Sequence, residues 1–588
     1  MSNVAKAPGA DGAPVVADRP DWLAALDRGV ARLAQAPFWR VRLLLVVLAL
    51  AVLLPSFFTL SVTDRDEGLF IQASRQMAET GDLIDIRFQD EARHKKPVGI
   101  YWIQSAVVTA MGGPDAVAPW AYRLPSLAGA IAAVVLTHAI VATLAGGPAA
   151  LGASFIMAST LVLGGEARIA KTDAVLLAVT LAAMLVLARL YARRAGGPDT
   201  PRPRVAGWEV YAFWACLGVA VLVKGPIAPM VVGLAVATLA IVQRGAGWAR
   251  PLMRWPAILL GLALVLPWLV AITVQTGLDF WIEAVVVDLL SKAADGQESK
   301  GAPPGAHLLA LVLTFGPGVA VLALALPAIW ALRRHPAAVF ALAWALPTWV
   351  VFELVPTKLP HYTLPAFPAL ALLAALGWQA RAAGSPGRGG RIGAALLLLG
   401  GPLLVAAMLG VALAGPTPLA AWPAALGLPV ALALAFVVWR AMGRDLRWAT
   451  LALLLPLAAV TQASFLGSFS RHAPFWPSVG VVDVLDRAVQ SGDLCAAPNL
   501  VTAGFHEPSL VVLTTRETLR AGPEGAAAAL ADTPCTAAIV EGRMLEAFTT
   551  AAEGQGLILQ PLGRVEAIEL GMGRDVVITV FTTRDTAG

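Results

Sequence analysis

Charge is scarce in this sequence. Only 14% of the 588 residues are charged, whereas 58% are hydrophobic. Such a chain cannot present an ordinary water-facing surface, and its composition predicts a polytopic α-helical membrane protein. The net charge of +5 does not indicate nucleic-acid binding, because the arginines occur in short runs between apolar segments, which is the pattern that orients membrane proteins. We therefore expect no nucleic-acid partner.

Cysteine and histidine, which often bind transition metals, are also rare. The chain has three cysteines and seven histidines. His506 beside Glu507 lacks the spacing of a zinc site, and we predict no metal and no cofactor. Cys216 lies in an apolar run, whereas Cys495 and Cys535 lie in a polar C-terminal region. This last pair could form a disulfide if that region is oxidised.

The N-terminal segment lacks a cleavable signal peptide. Residues 1–41 contain no apolar core of the usual length beside a small-residue cleavage site, so the first span is predicted to act as an uncleaved signal. Residues 1–20 are predicted to be disordered. Residues 21–40 predict a cytoplasmic interfacial helix, because apolar side chains fall along one side: Trp22, Leu23, Leu26, Val30, Leu33 and Ala34.

Long apolar runs dominate the middle of the chain. A spanning helix needs about 20 apolar residues, and thirteen runs qualify: residues 42–60, 123–142, 147–163, 174–193, 209–223, 226–243, 255–274, 306–330, 337–353, 359–378, 391–413, 423–439 and 448–466. Pro226 separates two short runs. Residues 98–111 are too short to span and predict a re-entrant or interfacial helix.

Arginine marks one end of these spans. With the N-terminus inside, the predicted cytoplasmic connections hold most of the arginines, as the positive-inside pattern requires: Arg28, Arg32, Arg40, Arg42, Arg189, Arg193, Arg194, Arg202, Arg204, Arg244, Arg250, Arg254, Arg333, Arg334, Arg381, Arg388, Arg391, Arg440, Arg444 and Arg447. Thirteen spans then put the C-terminus outside.

The C-terminal region is more polar than the spans. Short strand-like runs at 510–513, 537–540 and 576–581 predict a small α/β domain over residues 470–588. We therefore divide the chain into a cytoplasmic segment (1–41), a transmembrane domain (42–469) with a first periplasmic loop (61–122), and a periplasmic domain (470–588).

Five polar segments fall on the outer side in this topology: residues 63–102, 165–173, 224–226, 275–305 and 353–362. In the first of them, Asp66 and Glu67 precede an apolar stripe that ends at Gly81, so they are expected at a helix entrance. Acidic residues are common at helix starts for structural reasons alone, and single ionisable residues at span ends often snorkel to the interface.

The lysines of the same side would suit a phosphate group, because each supplies a point charge and ammonium donors. They are Lys96, Lys224, Lys292 and Lys358. Asp66, Glu67 and Asp173 could then orient a sugar or an acceptor. A phosphate and a sugar within a membrane suggest a polyprenyl-phosphate sugar.

A family resemblance rests on five motifs in order: DRDEGLFIQASRQMAETGD, HKKPVGIYW, EARIAKTDAVLL, KGP and PTKLPHYTLP. Across residues 42–380 the chain resembles the polyprenyl-phosphate-dependent GT-C glycosyltransferases, namely the bacterial lipid A aminoarabinose transferases and, more distantly, the protein O-mannosyltransferases. The later helices and the C-terminal domain match only in general architecture.

The resemblance implies a GT-C fold whose site faces the periplasm. It implies an inverting enzyme of the bacterial inner membrane that moves a sugar from undecaprenyl phosphate to an envelope acceptor, with lipid A the first candidate. By the same resemblance Asp66 is the principal catalytic carboxylate and Asp173 a second one near the sugar. Lys96, Lys224 and Lys292 correspond to ligands of the donor phosphate, and Lys358 with Tyr362 to contacts of lipid phosphate or acceptor.

One motif departs from this family. HKKP stands where the aminoarabinose enzymes commonly read EKP, so Lys95 replaces an acid and their sugar and acceptor specificity does not transfer directly. The alternatives are the same donor with a protein or another glycan as acceptor, a lipid or sugar transporter, and a noncatalytic envelope scaffold. A transporter would place charges along a path through helix centres, whereas here they gather at outer helix ends.

Overall fold

The computed structural model describes residues 21–195, 203–291 and 301–583. Most of the chain is helical. Apart from a short antiparallel pair, Arg87–Phe88 with Glu91–Ala92, the strands of the described residues lie in the C-terminal region. The helices up to the C-terminal region are Trp22–Leu33, Phe38–Leu53, Asp66–Thr80, Gly99–Ala110, Leu124–Ala158, Leu161–Glu166, Asp173–Ala195, Gly207–Lys224, Ile227–Val242, Trp255–Thr276, Asp279–Trp281, Ile282–Leu290, Ala306–Thr314, Gly318–Ala331, Pro336–Leu354, Phe367–Ala380, Arg388–Leu398, Gly400–Ala414, Trp422–Gly443 and Arg447–Phe469.

The long apolar helices make this a multi-pass membrane protein. In the described residues, eight helical stretches are long and apolar enough to cross a bilayer, and the bent pair Ala306–Thr314 and Gly318–Ala331 could be a ninth. All thirteen predicted runs coincide with helices. Some of these helices are short, such as Phe38–Leu53 and Ile227–Val242 with 16 residues each. The count of thirteen spans therefore stays a prediction.

Several helices break where the sequence indicates. Lys224 ends one helix and Ile227 begins the next, and Gly225 between them adopts a φ of +62°. The bent pair turns by 117° close to Gly316. A Cβ atom on Gly316 would lie 2.7 Å from the carbonyl oxygen of Ser159, so the bend depends on a close backbone approach that only glycine allows.

The segment 63–102 folds on top of the helical bundle. As predicted, Asp66 and Glu67 occupy the first turn of a helix, and Gly81 ends it with a φ of +72°. The predicted short helix follows at Gly99–Ala110. Buried apolar side chains anchor the segment on the bundle, among them Phe70 and Tyr101 against Val223 and Trp268. This packing fixes the acidic helix entrance relative to the spans below it.

Within the predicted N-terminal segment 21–40, the helix Trp22–Leu33 is observed, whereas its cytoplasmic and interfacial position stays a prediction. Leu23, Val30 and Ala34 are buried against the bundle, while Trp22 remains exposed. Asp27 accepts hydrogen bonds from the backbone N–H groups of Trp448 and Ala449, which start the last long helix. Residues 1–20 lie outside the described residues.

The C-terminal region contains a five-stranded mixed sheet. Its strands lie in the order Leu519–Ala521, Asn499–Ala503, Thr536–Glu541, Arg574–Thr583 and Leu559–Glu569, with the first three parallel. The helices Pro477–Ser491, Pro508–Leu513, Pro523–Asp532 and Leu545–Gly554 pack around it. A disulfide joins Cys495 to Cys535, whose Cα atoms lie 6.0 Å apart.

One predicted strand in this region is wrong. Residues 510–513 belong to the helix Pro508–Leu513. A run of four apolar residues cannot be assigned to strand or helix from periodicity alone. Pro508, which fixes φ at the first helical position, is the local signal that favours the helix.

Candidate active site

All five polar segments of the predicted outer side contribute to one cavity of about 460 Å³. Its wall comprises Thr63, Asp64, Arg65, Asp66, Glu67, Leu69, Phe70, Arg93, Lys95, Lys96, Glu166, Ile169, Lys171, Thr172, Asp173, Lys224, Val287, Asp288, Thr357, Leu359, His361, Tyr362 and Gly571. Six basic and six acidic side chains are among them. The predicted clustering of these segments is therefore confirmed.

Asp66 offers its carboxylate to this cavity. Its side chain is 58% exposed, and its Oδ2 lies 3.3 Å from Lys171 Nζ. Desolvation of the carboxylate would raise the pKa of Asp66, but the positive charges of Lys171 and Arg93 lower it by more. The pKa of Asp66 therefore lies below its ordinary value. Asp66 is thus an ionised carboxylate that a ligand can reach.

The carboxylate of Glu67, the next residue, accepts hydrogen bonds from five donors. Arg123 donates to both of its carboxylate oxygens at 2.7 and 3.0 Å. The backbone N–H groups of Thr63 and Ala170 and the Thr63 hydroxyl donate to it as well, at 2.8, 2.8 and 3.0 Å. Five donors saturate a carboxylate. Glu67 therefore joins three segments of the chain, which is a structural task, and its predicted catalytic role stays untested.

Asp173 forms the second acidic centre of the wall. Lys224 Nζ lies 2.6 Å from its Oδ1, and the ammonium group also lies 5.9 Å from the ring centre of Tyr362. His361 stands between Asp173 and Glu166, with ring nitrogens 3.8 and 3.3 Å from their carboxylate oxygens. Asp173, Lys224 and Tyr362 are thus brought together as the sequence predicts.

Burial shifts the pKa values of Glu166 and His361 in the directions that favour their neutral forms. Burial raises the pKa of Glu166 to about 7, with the charge of Asp173 adding to the effect and Lys171 opposing it. Burial lowers the pKa of His361 to about 3, against the pull of Asp173. Near neutral pH this corner of the cavity therefore contains a neutral imidazole and a carboxyl group that is half protonated.

The same corner has the donor atoms of a metal site. One atom each from Glu166, Asp173 and His361 lies within 4.8 Å of the others, and carboxylate oxygen with imidazole nitrogen suits a divalent cation. However, Lys224 and Lys171 already direct positive charge at Asp173. A metal would have to compete with these two ammonium groups.

Lys96 lines the opposite part of the cavity. It forms an ion pair with Asp288 in the helix Ile282–Leu290. Arg93 is buried beside it, with its guanidinium 5.0 Å from the ring centre of Phe70. Lys95, the residue that departs from the aminoarabinose pattern, is exposed and lines the cavity. The wall around HKKP is therefore strongly basic.

One predicted lysine, Lys358, does not reach this wall. Lys358 is absent from the cavity lining, and its ammonium group donates to the carbonyl oxygens of Glu353 and Val355. Glu353, also suspected from the sequence, accepts from the N–H groups of Gly305 and Leu308 and so caps the helix Ala306–Thr314. Lys292 lies outside the described residues.

Several side chains of the wall were not predicted. Among them, Glu166, Lys171 and His361 stand inside the quoted motifs, and Arg93 directly precedes HKKPVGIYW. Lys171 is the nearest missed neighbour of Asp66 in space, although 105 residues separate them. Its position two residues before Asp173 on a polar loop was the available signal.

The chain is similar in sequence to known proteins. The sequence profile of the family Dolichyl-phosphate-mannose-protein mannosyltransferase matches residues 38–283. Undecaprenyl phosphate-alpha-4-amino-4-deoxy-L-arabinose arabinosyl transferase of Edwardsiella ictaluri is 27% identical over 360 residues, which cover 60% of this chain and 62% of that protein. The protein of the same name from Aeromonas salmonicida is 30% identical over 316 residues, covering 53% and 55%.

The fold itself is matched over nearly the whole chain. The crystal structure of ArnT from Cupriavidus metallidurans bound to undecaprenyl phosphate superimposes with a TM-score of 0.72 at 18% identity, covering 91% of this chain and 97% of that one. The apo structure of the same protein gives 0.69. In sequence, the chain spans less than two thirds of the curated relatives. The chain has the GT-C fold of ArnT, and its sequence resembles the undecaprenyl phosphate-alpha-4-amino-4-deoxy-L-arabinose arabinosyl transferases.

Proposed function

We propose that this protein is an inverting glycosyltransferase that takes a sugar from undecaprenyl phosphate. The acceptor is an envelope molecule, with lipid A the first candidate, and the cavity faces the periplasm across the bacterial inner membrane. The observation that carries the proposal is the cavity itself, in which an accessible ionised carboxylate, Asp66, faces a wall containing Arg93, Lys96, Lys171 and Lys224.

The basic residues suit the donor phosphate. An anionic group entering the cavity would be attracted by ammonium groups that now pair with carboxylates, Lys224 with Asp173 and Lys96 with Asp288. As the phosphate leaves the sugar it gains negative charge, and the lysines stabilise that charge more strongly than the ground state. This differential stabilisation would accelerate the reaction rather than only tighten binding.

The charge state of Asp66 bears on its role. A general base works best with a pKa near the ambient pH, whereas Lys171 and Arg93 hold the pKa of Asp66 below its ordinary value. Asp66 therefore suits the positioning of an acceptor or sugar that needs little deprotonation. A lipid A phosphate is such an acceptor, because its oxygen is already ionised near neutral pH. This argument favours lipid A over a hydroxyl acceptor.

The bond changes follow from the donor's chemistry. The acceptor oxygen attacks the anomeric carbon from the face opposite the phosphate, the bond from that carbon to the phosphate oxygen breaks, and the configuration inverts. The electron pair of the broken bond remains on undecaprenyl phosphate. No nucleotide sugar is involved. Asp173, beside His361 and Lys224, is the second carboxylate available to hydrogen-bond sugar hydroxyls.

Two measurements test the proposal. Mass spectrometry of lipid A from cells with and without the gene should reveal a sugar that depends on the protein. If lipid A is unchanged while another glycoconjugate loses a sugar, the donor class stands and the acceptor is a protein or another glycan. Purified protein that moves a glycolipid between leaflets without cleaving it would support a transporter instead.

Donor binding can be tested with two matched lysine variants. Lys224→Ala removes an ammonium group from the cavity wall, and we expect the affinity for undecaprenyl phosphate to fall about tenfold or more. Lys358→Ala removes a lysine outside the lining and should leave that affinity unchanged. Equal effects of the two variants, measured by titration in detergent, would contradict the assignment of the phosphate to this cavity.

A further inference from the structure

We infer that Ser509 of the C-terminal domain is a positioning residue for Asp66, acting through Asp64. The inference rests on the proposed function, because it concerns the placement of the carboxylate assigned there to the reaction. It gives the C-terminal sheet domain a part in positioning the reaction-centre carboxylate.

The contact is a two-point hydrogen bond between distant parts of the chain. The backbone N–H of Ser509 donates to Asp64 Oδ1 at 2.8 Å, and the Ser509 hydroxyl donates to Asp64 Oδ2. Asp64 stands two residues before Asp66, and both line the cavity. Ser509 does not line it, so its influence on a bound substrate has to pass through Asp64.

Ser509 is itself held firmly. Its side chain is buried, and its hydroxyl oxygen lies 2.6 Å from that of Ser478, which is also buried and belongs to the helix Pro477–Ser491. Ser478 therefore supports the hydroxyl group that donates to Asp64. Packing and hydrogen bonds of this kind fix the orientation of the group that they support.

Backbone packing supports the same docking independently of the hydrogen bonds. A Cβ atom on Gly68 would lie 2.8 Å from Ser509 N and 2.9 Å from Pro508, so the helix that begins with Asp66 touches the Pro508–Leu513 helix without room for a side chain. Val512 joins a buried cluster with Ile71 and Val62. The C-terminal domain thus packs closely against the start of the helix that begins with Asp66.

The tip of the last hairpin completes the contact. Gly571 lines the cavity, and its position lies within van der Waals distance of the Arg65 side chain. Below it, Glu507 and Glu569 are hydrogen-bonded carboxyl groups that both feel the charge of Arg65. Arg65, which links Asp64 to Asp66, therefore lies against the C-terminal domain.

Two serine variants separate positioning from general support. Ser509→Ala removes both the hydroxyl that donates to Asp64 and the contact between Ser509 and Ser478. Ser478→Ala removes only the contact between the two serines and leaves the hydrogen bonds from Ser509 to Asp64. We expect Ser509→Ala to lower the turnover number on the order of 10-fold to 100-fold with unchanged affinity for undecaprenyl phosphate. Ser478→Ala should retain turnover close to that of the wild type.

Hydrogen–deuterium exchange gives a readout that needs no activity. Ser509→Ala should accelerate exchange at residues 63–70, and Ser478→Ala should not. If the wild-type protein transfers no sugar, the proposed function fails while the docking is still judged by exchange. Should Ser509→Ala not fold, Ser509→Cys, with its weaker donor, replaces it. Wild-type turnover together with wild-type exchange in a folded Ser509 variant would overturn the inference.

Discussion

The ion pairs at the two ends of the helical bundle differ in burial. At the cavity end, buried acids and bases pair across long stretches of sequence, as Glu67 does with Arg123 and Asp173 with Lys224. At the arginine-rich end, an ion pair such as that of Arg444 with Asp21 is more exposed, and several guanidinium groups also stack on nearby rings. The distances to the ring centres are 4.2 Å for Arg381 over Trp378, 4.6 Å for Arg391 over Trp439 and 4.6 Å for Arg333 over Trp330.

The difference follows from what each end has to do. Arginines near the ends of spans keep part of their hydration, and in the topology predicted from the sequence they would orient the chain in the membrane. Buried ion pairs lose their hydration and need nearly complete compensation, so they persist where they fix a structure or await a ligand. The comparison therefore predicts large effects from changes at the cavity end and small effects at the other.

The largest effect is expected at Asp66. Asp66→Asn keeps the size of the side chain but removes the charge, and transfer should fall about 100-fold or more while the melting temperature stays near that of the wild type. Asp90→Asn, an exposed acid of the same loop outside the cavity lining, is the matched control. Turnover of the purified variants decides. Near-normal transfer by Asp66→Asn would remove it from the mechanism.

Glu67 should respond in stability rather than in chemistry. Glu67→Gln leaves Arg123 buried without its counter-charge, and breaking a buried pair costs about 3–5 kcal/mol. We expect a lower yield and a clear drop in the melting temperature in detergent, measured by tryptophan fluorescence. A variant that melts like the wild type but no longer transfers sugar would instead give Glu67 the catalytic role that the sequence suggested.

Glu507 provides a pH-dependent effect at the docking face. Burial raises the pKa of Glu507 to about 9, helped by its hydrogen bond with Glu569, from an ordinary value of 4.5. Between these values the folded chain binds a proton that the unfolded chain has released, so stability falls as pH rises through this window. Glu507→Gln, whose side chain is never charged, should reduce the dependence of the melting temperature on pH between pH 5 and 9.

The smallest effect is expected at the arginine-rich end. Arg391→Ala removes a half-buried guanidinium that stacks on Trp439, and contacts of this kind are worth about 0.5–2 kcal/mol. Transfer should be unchanged and the melting temperature barely lowered. If Arg391→Ala matched Asp66→Asn in its loss of transfer, the contrast between the two ends would not hold.

The sequence was informative wherever a local pattern carries the structure. Hydrophobic periodicity located the spans and the Asp66–Thr80 helix, and the motif order brought Asp66, Asp173 and Lys224 into one site. The ion pair of Glu67 with Arg123 spans 56 residues and has no local signature, so it was missed. Lys358 looked equivalent to Lys224 because charge alone cannot tell a ligand from a residue bonded to nearby carbonyl oxygens.

The helix Ile282–Leu290 has a consequence for how a donor would arrive. Asp288 and Val287 line the cavity, while Ile282, Val286 and Leu290 of the same helix are exposed apolar side chains. The polar cavity thus adjoins an exposed apolar surface along one helix. Under the proposed function, a long-tailed carrier would be captured by lateral diffusion, so its concentration within the bilayer, and not in bulk solution, would set the rate of encounter.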